Sequence, residues 1–359
     1  MSNPIKEVTR LGQSIWFDNI QRRALKNGDL KTLIDRGDIR GVTSNPSIFN
    51  QAISNSNDYD EEIKVLAANG FKSQEIFWKM AIKDIQDASD LFLPLYEQTN
   101  GKDGFVSLEV NPKFAQDPIS TMTEASRLWA EVDRPNLMIK IPATRECIPA
   151  IKESIASGIN VNVTLIFSVD RYREVMQAYI EGLKKRVQSG LRISNISSVA
   201  SFFISRIDSK IDLLLTEGSN LKGKSAIASA KLAYLEFEQL FKGSGFRALR
   251  EKGGQVQRPL WASTSTKNEH YPDTLYVDEL IGPNTVNTVP PNTLDAFRDH
   301  GIPSLTLTRE VDTAKQTIKN LEIEGISIKK ITDELEREGV DAFVDAFLDL
   351  IKSIDRKMI

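Results

Sequence analysis

The chain has 359 residues, 40% hydrophobic and 26% charged, with 46 basic and 49 acidic side chains for a net charge of −3. This is ordinary globular composition. The charges are interspersed rather than gathered into a basic stripe, which argues against a nucleic-acid partner. A single cysteine, Cys147, allows no internal disulfide, so a reducing compartment, the cytoplasm, is expected. The opening stretch lacks the apolar core of a signal peptide, and no window approaches the roughly 18 apolar residues of a membrane span, so no membrane partner is expected. Only His270 and His300 could offer imidazole, and no HExxH or CxxC spacing occurs. Both histidines are expected at the surface, and neither a metal nor a cofactor is expected.

Short apolar or alternating runs predict eight strands in chain order. They lie near Ser14–Asp18, Ile39–Ser44, Phe105–Val110 and Leu137–Ile141, then near Asn160–Ile166, Ser198–Phe203, Pro259–Ser263 and Thr285–Val289. Helical patterns separate them. The clearest runs from Val169 to Val187 with Ser168 as N-cap, its apolar residues spaced by three and four. Strands alternating with helices imply βαβ units and a parallel sheet. Eight units without a composition break predict an α/β fold, a single (β/α)8 TIM barrel spanning 1–359. Three helical elaborations are expected at about 57–99, 210–257 and 306–359, the last holding helices over Asp312–Ile323 and Ile331–Ile354. No Pro/Gly/Ser linker sets them apart as domains.

Gly218 to Ser225 matches GxxxxGK[ST], the phosphate-cradling loop. That motif works only between a buried strand and a helix. Here the lead-in residues Ile204, Ile207, Ile211, Leu214 and Leu215 have helical spacing. The match is therefore read as chance, with Lys222 and Lys224 solvated.

Nearly every predicted strand carries polar residues at its C-terminal end, the face on which barrels build active sites. They are Asp18, Thr43 and Asn45, Glu109, Lys140, Asn162 and Thr164, Ser201, the Ser263–Lys267 segment, and Asn287. Taken alone, Lys140 reads as a lysine snorkelling from a strand end, Glu109 as an ion-pair partner and Asp18 as a helix cap. Together they offer one nucleophile and two proton-transfer groups at a common mouth. An amine among apolar walls would lose its proton more easily and become nucleophilic. The surrounding amides and hydroxyls suit a polyhydroxylated substrate, and Arg206 and Lys267 suit a phosphate.

Several segments resemble the transaldolase family in its longer bacterial branch. They are Gly41-Val-Thr-Ser-Asn-Pro-Ser-Ile-Phe, Val106-Ser-Leu-Glu-Val-Asn-Pro, Leu137-Met-Ile-Lys-Ile-Pro-Ala-Thr, Asn162-Val-Thr-Leu-Ile-Phe-Ser and Ser201-Phe-Phe-Ile-Ser-Arg. Trp261-Ala-Ser-Thr, Tyr271-Pro-Asp-Thr-Leu-Tyr-Val and Asn287-Thr-Val-Pro complete the order. The resemblance implies a class I Schiff-base enzyme of the non-oxidative pentose phosphate pathway. It would move a dihydroxyacetone unit from sedoheptulose 7-phosphate to glyceraldehyde 3-phosphate, giving erythrose 4-phosphate and fructose 6-phosphate. It further implies that Lys140 attacks the ketose, that Glu109 shuttles protons through a water held by Thr164, and that Asp18 deprotonates the C4 hydroxyl. Thr43, Asn45, Asn162, Ser201 and Phe203 would line the substrate, and Arg206, Ser265 and Lys267 would take its phosphate. Lys267 stands where many transaldolases carry arginine, so a point charge replaces a bidentate fork there.

The nearest alternative is a fructose-6-phosphate aldolase-type enzyme, which releases the three-carbon unit to water. Those relatives typically carry tyrosine where Phe203 stands, and Phe203 favours transfer. A phosphosugar isomerase barrel using Glu109 as base would have no need of Lys140, and a non-catalytic sugar-phosphate binder would leave Lys140, Glu109 and Asp18 unexplained. The sequence pattern leaves the oligomeric state open, a homodimer among the choices.

Overall fold

A computed structural model describes residues 3–359. Eight strands run β1 (Gln13–Phe17), β2 (Gly41–Val42), β3 (Phe105–Glu109), β4 (Leu137–Pro142), β5 (Val161–Ile166), β6 (Ser198–Phe203), β7 (Arg258–Ala262) and β8 (Thr285–Val289). They close in sequence order, with β8 beside β1 and every pairing parallel. This is the expected (β/α)8 barrel. Strands of such a barrel are covered on the outside by helices and packed within, so they are buried on both faces. β1 to β6 and β8 are buried at every position.

The second strand is shorter than the expected Ile39–Ser44. Its ladder bonds extend beyond the strand, from Arg40 N to Ile15 O and from Thr43 N to Phe17 O. The chain then turns at once into the helix Pro46–Ser54, whose N-cap is Asn45. Gly41 is required there by close approach: a Cβ would stand 2.6 Å from the Trp16 indole. At the N-terminal end of the barrel, Asp103 is gripped by Arg40 at 2.7 Å and Arg258 at 3.1 Å. Burial alone would raise its pKa, but the two guanidiniums hold the carboxyl below the usual range. Charge at that end stabilises the barrel and leaves the opposite mouth free for chemistry.

The helix Val169–Gln188 begins where expected, with the Ser168 hydroxyl accepting from Arg171 N at 3.1 Å. The phosphate-loop look-alike joins two helices, Ser205–Ile211 and Ser225–Lys242. Its Gly223 N donates to the Asp212 carboxylate, and Ala226 N just beyond it donates to Asp208. Lys224 is exposed and Lys222 half-buried. The lead-in helix ends earlier than its spacing suggests, and Leu214 is exposed. Asp212 draws the chain aside by also accepting from Tyr271 Oη at 2.6 Å.

The C-terminal elaboration forms the helices Val311–Ile323 and Ile328–Lys357. The latter lies across the C-terminal mouth of the barrel. Its stripe of Leu335, Gly339, Phe343, Phe347, Leu350 and Ile354 is buried at steps of three and four. Along its length Lys210 pairs with Glu334 at 3.0 Å, Gly339 meets Leu165 and Phe167, Phe347 packs on Phe77, and Ser353 donates to Asn50 at 2.9 Å. Among the described residues, no helix is long and apolar enough to cross a membrane.

Gly41→Ala should lower the urea midpoint by the equivalent of about 1–3 kcal/mol, the usual cost of overpacking a closed core. An unchanged midpoint would show that Trp16 can move aside.

Candidate active site

Strand register sets the chemistry. Glu109 on β3 is level with Lys140 on β4, and Lys140 is level with Asn162 on β5. In a parallel barrel, side chains at one level of neighbouring strands point to the same side, here inward. Lys140 is 5% exposed. Its Nζ donates to Ser44 O at 3.2 Å, stands 3.5 Å from Glu109 Oε2, and lies 5.5 Å from the centroid of the Phe343 ring. It does not snorkel to solvent.

Glu109 is 6% exposed. Burial pushes its carboxyl up from 4.5 to about 7, with Asp18 adding to the rise and Lys140 opposing it. Near neutral pH it can therefore both give and take a proton. Its Oε2 has no hydrogen-bond partner, and neither does the buried Thr164 hydroxyl.

Asp18 follows β1 and is half-buried. It is not a helix cap. It accepts from Thr43 Oγ1 at 2.6 Å, and Thr43 in turn meets Thr288 Oγ1 at 2.7 Å. Burial raises the Asp18 pKa, against the pull of Lys140, Thr43 and Lys267. A carboxylate so placed is a stronger base than one in water.

Asn162 has its amide oriented on both sides: Nδ2 donates to Ser107 Oγ at 3.0 Å, and Oδ1 accepts from Ser201 Oγ at 2.7 Å. Asn45 uses Oδ1 to cap its helix through Ile48 N at 3.0 Å. Each amide keeps an N–H for a substrate oxygen. Beyond Asn162, β5 is irregular: its register against β6 shifts between Val163 and Ile166, and Leu165 adopts φ 60°. Bulges beside active sites re-aim side chains.

The phosphate candidates sit on the later strands. Arg206 opens the helix after β6, and its guanidinium lies 5.5 Å from the centroid of the Phe203 ring. It makes no ion pair among the described residues, and burial depresses its pKa. Lys267, in the loop after β7, donates to Ser265 Oγ at 2.8 Å. Burial and then Arg206 lower its pKa, while Asp18 raises it. Two cations close enough to repel one another, neither of them in an ion pair among the described residues, make a site for a dianion.

Phe203 is buried against Phe167, ring centroids 5.1 Å apart. Phe343, on the C-terminal helix, adds an apolar side chain next to Lys140. All twelve expected site residues lie at or near the C-terminal end of the barrel. The expectation missed Ser107, Thr288 and Phe343. Ser107 shares an inward face with Glu109 by period two and was readable. Phe343 was not, because nothing local says which strand a distant helix will cover. His270 and His300 are exposed, as expected, and no group of three or more metal-binding side chains occurs among the described residues.

A family model, transaldolase/fructose-6-phosphate aldolase, matches residues 15–354. Relatives named transaldolase from Trichodesmium erythraeum and Thermobifida fusca are each 45% identical, over all of this chain and 98% and 99% of their own. The chain belongs to the transaldolase/fructose-6-phosphate aldolase family. A relative named transaldolase 2 from Streptomyces coelicolor is 44% identical over the whole chain. The match spans all eight strands, so the residues described here lie within the part this family shares.

Glu109 supplies a pH test. Its folded pKa, about 7, lies above the ordinary 4.5. Its contribution to stability is therefore full below about pH 4.5 and lost as pH rises through 7. Glu109→Gln mimics the neutral acid throughout. From pH 5 to 8 the stability difference should move in the variant's favour by roughly 2–3 kcal/mol, read from thermal midpoints. A constant difference would mean that Glu109 is ionised across the range.

Proposed function

We propose that this protein is a transaldolase working through a Schiff base on Lys140. The observation that carries the reading is Lys140, buried on β4 beside a carboxyl pushed to about 7, in a chain of this family. The Nζ lone pair adds to the C2 carbonyl of a ketose phosphate. Glu109, through a water shared with Thr164, protonates the departing hydroxyl, and water leaves as the iminium forms. Asp18 removes the C4 hydroxyl proton, the C3–C4 bond breaks, and its electron pair enters the iminium to give an enamine. The shortened aldose departs. An acceptor aldehyde is then attacked by the enamine carbon, Asp18 returns the proton to the new alkoxide, and water hydrolyses the iminium.

Asn45 and Asn162 hold the retained hydroxyls, with Thr43 and Ser201 bracing the groups that touch them. Arg206, Ser265 and Lys267 take the phosphate. The natural reaction is transfer between sedoheptulose 7-phosphate and glyceraldehyde 3-phosphate. Phe203 favours transfer over release, since it offers no hydroxyl to place a water at the enamine. The whole chain acts as one barrel with its elaborations, in the cytoplasm and without a cofactor.

Borohydride with fructose 6-phosphate should fix a three-carbon adduct on Lys140, located by peptide mass mapping; an adduct on another lysine, or none, would refute the mechanism. Turnover should require erythrose 4-phosphate as acceptor, whereas an aldolase would release product without it. Arg206→Ala removes one charge-assisted contact worth about 1.5–3 kcal/mol. It should raise KM for the sugar phosphate about tenfold or more and change kcat far less.

A further inference from the structure

The enamine on Lys140 has two fates: attack on an acceptor aldehyde, or protonation by water. We infer that Phe343, carried by the C-terminal helix, is a specificity-determining residue that keeps water from the enamine and so commits the enzyme to transfer. The inference rests on the Schiff-base reading above and adds to it a residue from outside the barrel.

Three observations support it. The Phe343 ring centroid lies 5.5 Å from Lys140 Nζ, the atom on which the intermediate forms, and the side chain is 7% exposed. No polar group on Phe343 can bind or deliver water. The ring is also held in place. One turn before it, Gly339 lets the helix settle on β5: a Cβ there would lie 3.1 Å from Leu165 and 3.3 Å from Phe167. One turn after it, Phe347 stacks edge-on against Phe77 at 5.7 Å. Finally, the helix is pinned on both sides of the mouth. Glu334 pairs with Lys210 and Glu336 with Arg171 at 3.2 Å on one side, while Lys357 pairs with Asp60 at 2.5 Å on the other.

Phe203 and Phe343 thus act from different directions. Phe203 stands on a barrel strand within the apolar group that includes Phe167, whereas Phe343 closes the mouth from outside. When the ring is removed, water reaches the enamine carbon. That carbon takes a proton and regenerates the iminium; a second water adds at C2, and the Lys140 amine leaves with dihydroxyacetone released. Atoms balance, and no redox partner is needed.

The test compares wild type, Phe343→Ala and Phe343→Leu with fructose 6-phosphate as donor. Two rates are read: transfer to an added acceptor, and dihydroxyacetone release without one, the latter in deuterium oxide. Phe343→Ala should raise the release-to-transfer ratio at least tenfold, with deuterium on the carbon that was C3. Phe343→Leu, which keeps an apolar cover, should raise it less. Gly339→Ala, which lifts the helix rather than trimming the ring, should move the ratio the same way. Equal loss of both rates in the Phe343 variants, or an unchanged ratio, would overturn the inference and leave Phe343 as packing alone. Borohydride trapping on Lys140 separates the two readings. If wild type gives no adduct, the Schiff-base mechanism itself fails; if it does and the ratio stays fixed, only the role of Phe343 fails.

Discussion

A lysine and a glutamate buried 3.5 Å apart inside a barrel are the interaction on which this structure turns. Removing two charges from water is costly, and their attraction repays that only with good geometry and further hydrogen bonds. Here the Lys140 amine has a backbone carbonyl to donate to, but the Glu109 oxygen that faces it, Oε2, accepts no hydrogen bond. The pair is therefore incompletely compensated, and the burial that would be a liability in a structural ion pair brings the carboxyl to about 7. A site that must pass protons to and from a nitrogen needs a group poised in that range.

The surroundings follow from keeping that pair in place. Parallel register puts Glu109, Lys140 and Asn162 at one level. The amide of Asn162, held between Ser107 and Ser201, cannot rotate freely, so its remaining N–H has a fixed aim. Asp18 is held by Thr43, itself tied to Thr288, which links the first strand to the second and the last. The buried charge cluster around Asp103, at the N-terminal ends of the strands, sits at the opposite end, where it cannot compete with substrate. The carboxyls Asp18 and Glu109 belong to the first strands and the cations Arg206 and Lys267 to the later ones.

Much of this was legible because barrels repeat one rule. Two of the eight strands match their expected bounds fully, five differ by no more than one residue at either end, and the polar residues ending them lie together at the mouth. The shortened β2 was less readable, since its end is decided by the contact of Gly41 with Trp16 and by the cap that Asn45 provides. The helix before the phosphate-loop look-alike also stops early, for a reason invisible in apolar spacing: Asp212 is recruited by Gly223 and Tyr271. Spacing did warn correctly that the look-alike lacked a strand.

Period-two and period-3.6 patterns and the identity of each strand's terminal residues are local properties, so strand order, fold class and the polar residues that end the strands are legible in the chain alone. Levels between strands, the orphaned atoms of Glu109 and Thr164, and the pairing of two cations are not local. They depend on closure, which brings β8 against β1 and makes neighbours of residues hundreds of positions apart. The C-terminal helix shows the limit most clearly. Its stripe declares that it must bury one face, but where Phe343 comes to rest is settled by the packing of its neighbours, Gly339 on Leu165 and Phe167 and Phe347 on Phe77, and that packing sets an aromatic ring near the amine.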